Sequence, residues 1–166
     1  MALTAGCERC AKAIVGHDYR PPTTHLFNKH WRLLVNRENK KPERWEQLDD
    51  GAKFFRLFLD HPCEKIAIEN PIMHKYAIDR VGRKHDILIQ PYMFGHTERK
   101  ATCFWLKGLP PLIETNNVKA EMELLPKREQ QRMHYLPPSK YRAKLRSKTY
   151  PGIAKAMALQ WAGSAL

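Results

Sequence analysis

Three stretches of this 166-residue chain carry side chains able to do chemistry. Glu69-Asn70 ends the short β-branched run Lys65–Ile68 and precedes a proline. A carboxyl group at the end of a buried strand can protonate or hydrogen-bond a ring nitrogen, and the neighbouring amide can hold ligand or backbone. The same glutamate would alternatively cap a helix opening at Pro71, where a carboxylate complements the helix dipole. Gly95–Lys100 reads Gly-His-Thr-Glu-Arg-Lys, and its His96, Arg99 and Lys100 suit phosphate or a base edge. A solvated hairpin turn is the plainer use of such a loop.

The third stretch runs from Lys127 to Lys148. Lys127, Arg128, Arg132, Lys140, Arg142, Lys144, Arg146 and Lys148 are interleaved there with His134, Tyr135 and Tyr141. Cations neutralise phosphates and aromatic rings stack on exposed bases, so the combination fits nucleic acid. A solubilising surface is the alternative. Cys7 and Cys10 have the spacing that clips one side of a zinc ion. A zinc site takes four ligands, and His17, His25 and His30 form no second pair, so no metal is expected. In a reducing cytosol the cysteines are expected as free thiols.

The charge balance supports the same partner. Lysine and arginine number 29 against 17 carboxylates, a formal net charge of +12, which attracts polyanions and nucleic acid above all. No apolar run approaches a membrane span and no signal peptide opens the chain, so a cytoplasmic protein without a membrane partner is expected.

The elements that must position these residues read as a single α/β domain over 1–166. Residues 1–13 form a divergent N-terminal segment and residues 126–149 a basic loop segment. Strands are expected at Ile14–Gly16, Lys65–Ile68, Asp86–Ile89 and Thr102–Leu106. Helices are expected at Pro42–Leu59, Pro71–Val81 and Pro151–Trp161, the first with an apolar stripe through Trp45, Leu48, Ala52, Phe55 and Leu59. Short unbroken apolar runs separated by a helix suggest parallel strands buried on both faces, with ligands gathering beyond their carboxyl ends.

From about Val15 to Trp161, and most strongly from Trp45 onward, the chain resembles the C5-cytosine DNA methyltransferases, most of all the short methylase-like proteins of bacteriophages and prophages. The stretches that carry the resemblance are RWEQLDDGAKFF, IAIENPIMHKYA, IQPYMFGH, TCFWLKGLPPL and YPGIAKAMALQW. It implies a truncated Rossmann-like, methyltransferase-like fold whose mostly parallel sheet has flanking helices. Glu69-Asn70 matches the family's Glu-Asn pair, which binds and protonates the cytosine ring. Phe94–Lys100 resembles a later glycine-bearing basic loop. Arg20-Pro21-Pro22-Thr23 stands where the family carries its Pro-Pro-Cys nucleophile, so Thr23 occupies the position of the cysteine. A threonine hydroxyl is a poor nucleophile beside a thiolate. The segment before Ile14 is too short for the half that holds S-adenosylmethionine.

The resemblance therefore implies a nucleic-acid-binding, non-catalytic phage protein, a pseudoenzyme with no cofactor, working in the bacterial host cytoplasm. Two alternatives accompany it. One is an active S-adenosylmethionine-dependent methyltransferase completed by homo-oligomerisation. The other is a phage anti-defence inhibitor that engages a host protein–nucleic acid complex, with the open edge of the truncated sheet covered by its partner.

Overall fold

The computed structural model describes residues 3–4 and 42–162, with side chains from residue 45 onward. The expected strand Ile14–Gly16, the 1–13 segment apart from residues 3–4, Thr23, Cys7 and Cys10 lie outside the described residues. The chain divides into two compact units, Met1–Asp86 with Cys103–Leu109, and Ile87–Thr102 with Pro110–Leu166.

The first unit is built on helix α1, Pro42–Leu59, whose bounds are those the sequence predicts. Its apolar residues recur every three or four positions, so Leu48, Ala52 and Phe55 share one buried face. That face packs into a core with Ile66, Ile68, Met73, Ala77, Val81, Cys103 and Trp105. Phe55 meets Trp105 edge to face, ring centroids 4.9 Å apart. Two strands supply the sheet side of this core, β2 at Ile66–Asn70 and β4 at Thr102–Lys107; β1 is Leu3–Thr4.

The sheet is antiparallel, which corrects the expected mostly parallel Rossmann-like architecture. β2 pairs antiparallel with β1, Leu3 opposite Ile68, and antiparallel with β4, Ile68 opposite Trp105 and Asn70 opposite Cys103. Both edges of β2 are thus taken, and the parallel partner suggested by the strand–helix–strand spacing has no edge to join. The misleading signal has a clear origin. Ile66, Ile68, Cys103 and Trp105 face the helix, while Ala67, Phe104 and Leu106, on the opposite face, are also withdrawn from water. Two-sided burial produces the unbroken apolar run typical of parallel strands, here in an antiparallel pair.

Helix α2 spans Lys75–Val81, four residues later than the expected start at Pro71. His74 is its N-cap, with Nδ1 accepting the Tyr76 amide at 3.3 Å. Gly82 closes it at φ 77°, a left-handed conformation that glycine adopts without strain. Cys103 is free and buried, whereas Cys63 is disulfide-bonded, against the expectation of a free thiol.

In the second unit β3, Ile87–Ile89, leads through a 3-10 turn at Pro91–Met93 into the loop that follows Phe94. Four helices follow, α3 at Lys119–Glu123, α4 at Lys127–Gln130, α5 at Arg142–Ser147 and α6 at Pro151–Ala162. The basic segment expected as a loop therefore contains two short helices. On α6 the buried side chains are Ile153, Ala156 and Trp161, while Ala154 and Ala158 face out. Among the described residues no helix is long and apolar enough to cross a membrane.

Candidate nucleic-acid interface

The second unit gathers His96, Arg99, Lys100 and all the basic candidates from Lys127 to Arg146; Glu69 and Asn70 belong to the first. The two groups have different geometries.

Glu69 lies in β2 opposite Phe104, half-buried, and Asn70 follows it buried at the strand end. The Asn70 amide donates to the Pro71 carbonyl at 3.0 Å, fixing the chain as it leaves the sheet. With α2 opening at Lys75 and no acidic residue in its first turn, the cap reading of Glu69 does not hold. An antiparallel neighbour also sets the carboxyl end of β2 beside the amino end of β4, so no row of carboxyl ends frames a crevice here.

The Gly95–Lys100 loop is tied down rather than displayed. Gly95, at φ 83°, donates its amide to the Asn116 carbonyl at 2.8 Å, beside the parallel bridge between Phe94 and Asn116. His96 Nε2 accepts the Gly152 amide at 2.9 Å, and its ring lies 5.1 Å from that of Tyr150. Glu98 accepts from Arg132 at 2.8 Å on one oxygen and from the Tyr150 hydroxyl at 2.8 Å on the other. Burial, then the hydrogen bond to Glu98, pushes the Tyr150 hydroxyl well above the ordinary tyrosine range, so it stays a donor. The same carboxylate raises the pKa of Arg132. Position 152 admits only glycine, because a Cβ there would run into the Phe94 carbonyl oxygen.

Arg99 turns its Nε to the Met122 sulfur at 3.4 Å and pairs with Glu123 at 3.3 Å. Lys100 Nζ donates to the Lys148 carbonyl at 3.3 Å and lies 5.6 Å from the centre of the Tyr150 ring. Arg99 thus fastens the loop to α3, and Lys100 fastens it to the basic segment and the residue before α6. Glu98, Tyr150 and Gly152 organise that junction; Glu98 lies in the loop the sequence singles out, whereas Tyr150 and Gly152 were not selected. The only sequence signal was a tyrosine directly before the proline that opens α6.

The basic segment is displayed. Lys127 and Arg128 on α4, Lys140, Lys144 on α5, and Lys148 are exposed, as are Tyr135 at 50% and Tyr141 at 59%. Lys140 Nζ sits 5.0 Å from the Tyr141 ring centre, and His134 meets Tyr135 edge to face at 5.4 Å. Arg142 and Arg146 are half-buried, and Arg142 makes a long 3.5 Å bond to the His134 carbonyl. No aspartate or glutamate follows Glu129 in the sequence, so the displayed cations beyond it have no neighbouring carboxylates along the chain to neutralise them.

Burial drives the Cys103 thiol up to about 11, leaving it neutral and inert. Among the described residues no three His, Cys, Asp or Glu side chains converge as a metal site would require. No family model matches the chain, and neither a curated protein nor a solved structure matches it.

Proposed function

We propose that this protein binds nucleic acid through the surface formed by residues 127–148. The observation that carries the reading is the joint display of five cations and two tyrosines on a segment with one carboxylate, Glu129. Phosphate neutralisation needs accessible lysine and arginine, and local carboxylates would compete for them. Arg99 and Arg132, each paired with a glutamate, act as supports for this surface, as does His96 through Gly152. No enzymatic step belongs to the proposal. Asn70 is engaged with its own backbone, and the parallel crevice on which the methyltransfer reading depended is replaced by an antiparallel pair.

The test is a salt series of binding isotherms by fluorescence anisotropy on the full chain. Lys127, Arg128, Lys140 and Lys144 are replaced together by alanine. Arg142 and Arg146 are spared because they are half-buried. Affinity should fall alike for all oligonucleotide sequences, because binding to phosphate carries no sequence information. The slope of log K against log salt should become shallower by roughly 0.7–0.9 for each phosphate no longer neutralised. Unchanged affinity and slope would reduce the segment to a solubilising surface.

A further inference from the structure

We infer that the nucleic acid engaged is single-stranded, with Tyr135 and Tyr141 as stacking platforms for unpaired bases; this rests on the nucleic-acid reading above. The chain shows what a structural tyrosine looks like. Tyr150 is 9% exposed, with its hydroxyl bonded to Glu98 and its ring against His96. Tyr135 and Tyr141, at 50% and 59%, are at least half open to water, and both lie inside the most basic stretch of the chain. An aromatic ring set out among cations has little to do on a duplex, whose bases offer their faces only at the ends. On a single strand every base offers a face, and stacking on it is strong while tolerating any sequence.

The surrounding geometry favours the same ligand. Duplex readers commonly place a helix in a major groove about 12 Å wide. Here the basic segment offers only α4, of four residues, and α5, of six. At about 1.5 Å per residue, α5 is roughly 9 Å long, and both its arginines are half-buried. By contrast, Lys140 Nζ lies over one face of the Tyr141 ring, so a cation and an exposed aromatic stand together, as alternating phosphates and bases of one strand require. The long Arg142 bond to the His134 carbonyl brings together the chain neighbours of Tyr141 and Tyr135.

The experiment compares a mixed-sequence single-stranded oligonucleotide with its duplex of equal length, at one salt concentration. The proteins are the intact chain, Tyr135→Ala, Tyr141→Ala, the double variant, and Tyr141→Phe. The intact chain should prefer the single strand. Each alanine variant should weaken that binding roughly five- to hundredfold, leaving duplex affinity and the salt slope nearly unchanged. Phenylalanine should restore most of the affinity, because the ring rather than the hydroxyl does the stacking. Equal affinity for both forms, with the tyrosine variants silent, would overturn the single-strand inference and leave nucleic-acid binding standing. Binding of neither form by the intact chain would overturn both.

Discussion

At the scale of single residues, Glu98 is a carboxylate that braces a basic surface from within. It accepts from Arg132 and Tyr150 while only 15% of its side chain is exposed. Replacing it with alanine leaves the buried Tyr150 hydroxyl without an acceptor and Arg132 without its partner. The expected cost is about 1–3 kcal/mol of stability, read from urea melts. Binding should move the other way. The variant gains one net positive charge and releases a guanidinium that is 60% exposed, so its affinity for an oligonucleotide at low salt should equal or exceed that of the intact chain. A variant that folds normally yet loses binding would place Glu98 against the ligand instead. The neighbouring Gly152 is constrained more simply, by the Phe94 carbonyl that any side chain would strike.

At the scale of elements, α2 carries a titratable cap. His74 accepts the Tyr76 amide, and its pKa is lowered first by burial, with Lys75 lowering it further and Asp79 opposing. The native imidazole therefore takes up a proton less readily than the unfolded one. The stability it contributes is full above the unfolded value of about 6.5 and is lost as pH falls through the lower native value. His74→Asn keeps a cap acceptor and removes the titration, so its melting temperature should decline less between pH 7 and 5 than that of the intact chain. Parallel declines would show that the titration lies elsewhere. The misplaced start of this same helix marks where the sequence ceased to be legible. Pro71 suits a first turn, but Asn70 bonds to the Pro71 carbonyl and the chain does not enter the helix until after His74. Helix α1 was legible because its stripe repeats over five turns. The strands at Ile66–Asn70, Ile87–Ile89 and Thr102–Lys107 were legible to within two residues, yet their direction was not, and Leu3–Thr4 was not read as a strand at all. Direction depends on which strand occupies each edge of β2, and burial on both faces hides the alternation that marks an antiparallel strand. In the candidate site, the basic segment could be read from composition alone. The clamp of His96, Glu98, Tyr150 and Gly152 could not, since its members are up to 56 residues apart and meet only through the fold.

At the scale of the whole molecule, charge sets two opposite responses to salt. The net charge is +12, and residues 87–102 with 110–166 hold twelve lysines and arginines against five carboxylates. Self-repulsion of such a chain destabilises its compact state, and salt relieves it as the screening length shortens from about 30 Å at 0.01 M to about 10 Å at 0.1 M. The free protein should therefore melt at a higher temperature as salt rises over that range. A bound polyanion acts in the reverse sense. A ligand of the native state at one hundred times its dissociation constant adds about 2.7 kcal/mol. For a chain of this length that is a rise of roughly 5–10 °C in melting temperature. Because binding itself weakens steeply with salt, this increment should be largest at 0.01 M and shrink towards nothing near 0.5 M. Thermal scans with and without a single-stranded oligonucleotide should thus give two curves that converge from below and above. A free protein whose melting temperature ignores salt would mean that its like charges are already well separated or paired. An oligonucleotide that leaves the low-salt melt in place would remove the binding reading, and the cations of residues 127–148 would then serve solubility alone.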